Sequence, residues 1–150
     1  MITKKEVQEN TVERFSFLKD LGLKKVTVKD ESGKTKVRFL GQEIGVEIEL
    51  DWFDVCVYAL LVKLENGKLP GGYYLFNGKK VRVPLLQTLR KIIKPEIDGE
   101  IPKIYPKKIP SDKEARLMLM ELQSEKLAQY VEKMVKLLLD NKLELELIFE

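Results

Sequence analysis

A change in hydrophobic period, from about 3.6 residues to 2, most constrains the fold of this chain. Between residues 44 and 50 apolar side chains fill every second position, and acidic residues or glycine fill the others. This alternation is typical of a strand with one buried face. Residues 25–29 and 36–39 alternate in the same way, and only short turn sequences separate the three segments. The sequence therefore predicts consecutive antiparallel strands, a β-meander.

The next segments extend this sheet. Residues 55–62 (VCVYALLV) are apolar at every position. A strand of this kind is covered on both faces, so the sequence predicts that something packs on the second face of the sheet. Asn77-Gly78 separates residues 73–76 from residues 79–83, which predicts a β-hairpin with a tight turn.

Helices are predicted on either side of the strands. Thr3 and Glu6 form a capping box, and apolar residues at helical spacing then predict a helix over about residues 4–21. Pro84 suits the first turn of a short helix that Pro95 ends.

A longer helix is predicted near the C-terminal end. Ser111 and Glu114 form a second capping box, and the helix extends to about Asp140. Alternation over residues 143–149 indicates a terminal strand, with a continued helix as the alternative. Either the helix packs on its own sheet, or residues 112–140 join two chains in a homodimer. Its apolar seam steps by three and four through Leu117, Met120, Ser124, Leu127, Val131, Met134 and Leu138.

These elements define an α+β domain. We expect one domain over residues 1–150, with an N-terminal helix, an antiparallel meander of about five to six strands, a short helix and a long C-terminal helix packed on the sheet. Residues 95–110 form an extended, proline-containing connection. The longest uncharged apolar stretch is too short to cross a bilayer. The start of the sequence does not resemble a signal peptide, and Cys56 is the only cysteine, so we expect a monomeric or dimeric cytoplasmic protein.

Residue types needed for common catalytic sites are missing. The sequence has no histidine and one cysteine, which excludes Ser-His-Asp and Cys-His catalysis and histidine-ligated zinc. No glycine-rich segment has the residues of a phosphate-binding loop or a dinucleotide fold. We therefore expect a non-catalytic protein without a cofactor.

Charge is segregated along the chain. Residues 41–62 contain acids and no base, whereas residues 77–95 contain bases and no acid. The two segments either neutralise each other across strands or offer opposite charges to a partner. The candidate partner-binding residues are Glu47, Glu49, Asp51, Asp54, Tyr73, Tyr74, Lys79, Lys80, Arg82, Arg90 and Lys91.

Two alternatives use the same charged segments. The acidic residues of segment 43–54 could hold Mg²⁺ or Ca²⁺ in a metal-dependent enzyme. We interpret them instead as the solvated face of a strand. The basic segment 79–94 follows aromatic residues, and this arrangement could bind nucleic acid through stacking and phosphate contacts.

One stretch carries a resemblance to known families. Val46–Tyr74 (VEIELDWFDVCVYALLVKLENGKLPGGYY), with the order of elements around it, resembles small bacterial α+β proteins, including immunity proteins of polymorphic toxin systems. The order of helix and strands also resembles secretion chaperones of the type III class. The resemblance implies an immunity or chaperone-like factor that binds a protein partner, and it assigns no functional residues.

Overall fold

The computed structural model describes residues 1–85, 87–88, 108–140 and 145–149. The chain begins with two helices, α1 and α2, and continues through seven strands, β1 to β7. A long helix, α3, and a short one, α4, follow. In chain order the bounds are α1 Lys4–Arg14, α2 Phe17–Asp20, β1 Lys25–Glu31, β2 Lys34–Leu40, β3 Ile44–Asp51, β4 Cys56–Lys63, β5 Leu75–Phe76, β6 Lys79–Lys80, β7 Arg82–Pro84, α3 Lys113–Asp140 and α4 Leu145–Ile148.

The main sheet confirms the predicted antiparallel meander and the α+β class. Its strand order is β1-β2-β3-β4-β7, and every neighbouring pair is antiparallel. Strands β5 and β6 form the predicted hairpin outside this sheet. Its turn residues Asn77 and Gly78 have φ angles of 52° and 78°, as a type I′ turn requires at both positions.

The core lies between one face of the sheet and helices α1 and α3. The α3 seam is buried against alternate residues of β2, β3 and β4, which confirms that this helix packs on its own sheet. Gln123 of α3 holds the entry to β4: its side-chain amide donates to Val55 O (2.7 Å), and its Oε1 accepts from Val57 N (3.1 Å). Val55 has φ 54°, which is unusual for a β-branched residue.

The second face of the sheet is covered as well, as the apolar sequence of β4 predicts. Leu40, Val62 and Leu64 are buried there, and Leu69 packs against them. Leu69 belongs to the connection between β4 and β7. This connection therefore folds back over the sheet face opposite the helices.

Helix α1 begins as the sequence predicts and ends sooner. Thr3 accepts the hydrogen bond from Glu6 N (3.1 Å), which confirms the first capping box. The helix predicted to run to residue 21 is interrupted after Arg14, where Ser16 N bonds to Glu13 O in a tighter turn. Phe15, within the break, and Leu18, after it, are fully buried.

Two predictions near the C-terminal end are wrong. Asp112, not Ser111, caps α3 by accepting the hydrogen bond from Ala115 N (2.9 Å). Of the two structures considered for residues 143–149, the strand is wrong, because Leu145–Ile148 form the helix α4. The consecutive residues Ile148 and Phe149 are both buried while Leu147 is exposed, a burial pattern that a strand with one buried face cannot produce.

Some predictions fall outside the described residues. These include most of the short helix expected after Pro84, although residues 85, 87 and 88 are helical, and most of the connection 95–110. Among the described residues, no helix is long and apolar enough to span a membrane.

Candidate partner-binding surface

Charged side chains line the middle of the sheet face opposite the helices. Antiparallel pairing sets Arg38 of β2 opposite Glu47 of β3, and Lys36 opposite Glu49. Because side chains alternate along a strand, all four lie on the same face. This face is the one that the β4–β7 connection covers.

Glu47 lies between two guanidinium groups and is fully buried. Its Oε2 accepts a hydrogen bond from Arg38 Nε at 2.6 Å. Its Oε1 is 3.3 Å from Arg82 Nε, an ion pair without hydrogen-bond geometry. The interpretation of this acidic face as solvated is therefore wrong. Arg82, from the basic segment, neutralises Glu47 from the acidic segment across strands.

Glu49 is fully buried beside Glu47 and has weaker cationic neighbours. Its Oε1 accepts a hydrogen bond from the Tyr73 hydroxyl, and its Oε2 is 3.8 Å from Lys34 Nζ. Burial raises the pKa of Glu49 above its usual value, and the Glu47 carboxylate raises it further. A hydrogen bond from Tyr58 and the charges of Lys34 and Lys36 oppose this increase.

Tyr73 attaches the β4–β7 connection to this charged face. Its ring lies between two cations, with Lys36 Nζ 4.6 Å and Arg82 Cζ 4.8 Å from the ring centroid. Arg82 Nη1 also donates to Gly72 O and Tyr73 O, both at 2.9 Å. A Cβ atom on Gly72 would lie 1.8 Å from Leu75 O, so only glycine fits this bend. We call Arg38, Glu47, Glu49, Tyr73 and Arg82 the sheet-face cluster.

The hairpin beyond Tyr73 exposes apolar and basic side chains together. Tyr74, Leu75 and Phe76 are 51%, 59% and 45% exposed. Leu75 pairs across the hairpin with Lys80, and Phe76 with Lys79; both lysines are exposed. We call these five residues the hairpin surface. Contiguous exposed apolar side chains rimmed by charges are typical of interaction sites.

A cavity of about 680 Å³ lies between the hairpin and the turn that follows β4. Leu69 and Phe76 contribute apolar walls, and Glu65 is the only acid among the described residues that line it. Its lysines are Lys63, Lys68, Lys79 and Lys80. We call it the lysine cavity.

The predicted site residues are thus divided between three environments. Glu47, Glu49, Tyr73 and Arg82 belong to the sheet-face cluster and are not offered to a partner. Asp51 is buried and accepts from Phe53 N (3.1 Å) and Asp54 N (3.0 Å) at a turn. Three lie on the hairpin surface: Tyr74, Lys79 and Lys80.

Other predicted residues are not part of these groups. Asp54 is exposed, and Arg90 and Lys91 lie outside the described residues. Sequence reasoning missed Arg38 and Lys36, although a signal existed. The three-residue connection 41–43 before β3 sets the register that places Arg38 opposite Glu47.

The acidic side chains of the described residues do not form a metal site. Within them, no group of three or more Asp, Glu, Cys or His side chains is placed to hold a metal ion. On α3, Met118, Leu122 and Leu139 remain exposed although the seam is buried.

Comparison with known proteins gave no significant match: no family model fits the sequence, no curated protein matches it, and no solved structure matches it. Only the chain's own surface therefore bears on its function.

Proposed function

We propose that this chain is a non-catalytic, cytoplasmic protein-binding protein, an immunity or chaperone-like factor, that engages an acidic protein partner through the hairpin surface. The supporting observation is the run of exposed apolar residues Tyr74, Leu75 and Phe76 paired across the hairpin with Lys79 and Lys80. Aromatic side chains are enriched at protein interfaces, and charges around them select the partner and speed its association.

The sheet-face cluster supports a binding role by holding the hairpin in place. Arg82 fixes the carbonyl groups of Gly72 and Tyr73 immediately before the exposed residues. A surface that is ordered before binding loses less conformational entropy on association. Glu47 and Glu49, two acidic residues of the segment 43–54 that could have held a metal ion, accept hydrogen bonds from Arg38 and Tyr73 within the protein.

A protein partner fits the hairpin better than nucleic acid does. Of the aromatic residues that precede the basic segment, Tyr73 is part of the sheet-face cluster, and Phe76 lays its ring against Gly71. The third, Tyr74, packs its ring at 87° to that of Tyr73, with 4.5 Å between the centroids. The most exposed apolar side chain of the hairpin is the aliphatic Leu75. Single-stranded nucleic acid is bound mainly by stacking on aromatic rings, which Leu75 cannot provide.

Site-specific photo-cross-linking in the native cell tests the proposal. A benzophenone amino acid replaces Leu75, and in a control variant it replaces Val28, which is 49% exposed on β1. We expect Leu75 to cross-link to a specific acidic protein and Val28 to give no such adduct. Adducts of equal yield at the two positions, no protein adduct at Leu75, or adducts only to nucleic acid would refute the proposal.

A second experiment tests the contribution of charge. Charge reversal of Lys79 and Lys80 to Glu should slow association with the cross-linked partner and reverse its salt dependence, because attraction becomes repulsion. Charge reversal of Lys113 and Lys126, which are exposed on α3, changes the net charge equally and serves as the control. Equal effects of the two pairs on the association rate would contradict a local role for the hairpin lysines.

A further inference from the structure

We infer that the lysine cavity is the specificity pocket of the hairpin surface, and that it receives a carboxylate side chain next to a bulky apolar side chain in one segment of the partner. This inference rests on the proposed function and assigns it a ligand chemistry. The observations that support it are the charge, walls and rigidity of the cavity.

The charge of the cavity is unbalanced. Of the residues that the structure describes, four lysines and one glutamate line it. Within the described part of the chain, no carboxylate lies within 4.0 Å of the ammonium group of Lys63, Lys68, Lys79 or Lys80. Cations gathered around a concave surface raise the local potential and attract anions. A partner carboxylate placed there would relieve the repulsion among the lysines.

The apolar walls of the cavity determine which type of side chain can bind next to that carboxylate. Leu69 and Phe76 line the same cavity as the lysines, and Phe76 is held against Gly71. Ligand sites combine an apolar lining with a few polar groups that fix orientation. A segment with an acidic residue beside Leu, Ile or Phe matches both features, whereas a polyanion without apolar groups matches only the first.

The cavity is formed before a ligand arrives, because backbone hydrogen bonds fix both sides. Glu65 and Lys68 exchange two of them, at 3.1 and 3.0 Å, and Gly67 N donates to Gln42 O at 2.8 Å. On the hairpin side, Lys63 N donates to Val81 O at 2.8 Å. The volume of about 680 Å³ is within the usual size of a ligand site.

Selection from a random phage-displayed peptide library on the immobilised full chain tests the inference. We expect the recovered peptides to carry Asp or Glu beside Leu, Ile or Phe far more often than the starting library does. In a synthesised copy of such a peptide, changing the acidic residue to its amide should abolish most of the binding. Recovery of no peptides, or of peptides without acidic residues, would overturn the inference.

Variants locate the site of binding. The double variant Lys63→Ala/Lys68→Ala should weaken the peptide about tenfold, because two ion pairs to one carboxylate are lost. Lys113→Ala/Lys126→Ala removes the same charge from α3 and should leave the affinity unchanged. Equal weakening by both pairs would show a non-specific charge effect and overturn the inference.

A third variant distinguishes a wrong inference about the lysine cavity from a wrong proposal about the hairpin surface. Leu75→Asp changes an exposed side chain of the hairpin surface outside the cavity lining. Suppose that peptides without acidic residues lose affinity in the Leu75→Asp variant and not in the Lys63→Ala/Lys68→Ala variant. This result would support binding at the hairpin surface and overturn the inference about the lysine cavity. Displacement of the peptide by single-stranded nucleic acid at lower concentration than by acidic peptides would also overturn it.

Discussion

Arg82 joins three parts of the molecule through one buried guanidinium group. It is 5% exposed, pairs with Glu47 of β3, and donates to the carbonyl groups of Gly72 and Tyr73. Methionine has similar length and apolar volume but can replace none of these contacts. Arg82→Met therefore leaves the buried Glu47 with Arg38 alone and leaves two carbonyl groups without this donor.

The expected loss of stability is large. Removing one partner of a buried ion pair costs about 3–5 kcal/mol, because the other charge stays buried. Domains of ordinary stability unfold with roughly 5–15 kcal/mol, so the variant should lose a substantial fraction of its stability. For a chain of this length the midpoint of thermal unfolding should fall by about 6–20 °C. Urea denaturation followed by circular dichroism measures the free energy directly.

Two comparisons show whether the cost comes from the cluster. Lys80→Met makes a similar chemical change at an exposed position two residues away, and should shift stability by less than about 0.5 kcal/mol. Adding Glu47→Gln to Arg82→Met should lower the stability further, since the buried Arg38 then loses the carboxylate that it still pairs with in the single variant. In Arg82→Met alone, hydrogen exchange should accelerate at Val81, whose amide donates to Tyr74 O at 2.8 Å. Equal stability of the Arg82→Met and Lys80→Met variants would refute the reasoning.

Two further substitutions test other buried polar groups. Burial raises the pKa of Glu49, so the folded chain binds this proton more tightly than the unfolded chain. The contribution of Glu49 to stability is therefore complete below its unfolded pKa and is lost as pH rises through the raised value. Glu49→Gln should gain stability relative to the wild type as pH rises above the ordinary Glu pKa of about 4.3, and urea titrations in which the difference moves the opposite way would contradict this cause. Gln123→Leu leaves Val55 O and Val57 N without partners in the core, and should cost about 2–6 kcal/mol at 1–3 kcal/mol for each group. Gln129→Leu, exposed on the same helix, is the matched control, and comparable melting temperatures for the two variants would rule out this role.

The strands and the hairpin were predictable because their signals are local. Alternation over residues 44–50 requires one buried face, and Asn77-Gly78 supplies the positive φ angles of a tight turn. The apolar run of β4 also carried tertiary information, since it predicted a cover on the second sheet face. The long apolar seam of α3 also predicted a tertiary contact, because seven buried positions at helical spacing fit only one face of a helix.

The environment of the acidic residues was not predictable from β3 alone. The sequence pattern of alternating glutamates is the same whether they face water or buried arginines. The alternation indicates the strand period and does not indicate which residues cover that face. Burial of Glu47 depends on Arg82, which is 35 positions later in the sequence, and on the path of the chain between them. The strand predicted near the C-terminal end is wrong for a related reason. The four residues of α4 are too few to distinguish a helical period from a strand period, and the burial of Ile148 decided the outcome.

The composition of the sheet-face cluster bears on the proposed binding role. An apolar layer would cover the sheet at a lower desolvation cost, since replacing buried ion pairs with hydrophobic residues is often neutral or stabilising. Apolar contacts have little directionality, however, so such a layer would fix the connection less strictly. The guanidinium of Arg82 has donors in a rigid planar arrangement, and they hold the carbonyl groups of Gly72 and Tyr73 in one orientation. Because Leu75 follows within three residues, that orientation sets the direction in which the hairpin surface faces. The charged layer therefore has a higher desolvation cost than an apolar one and fixes the orientation of the hairpin more strictly.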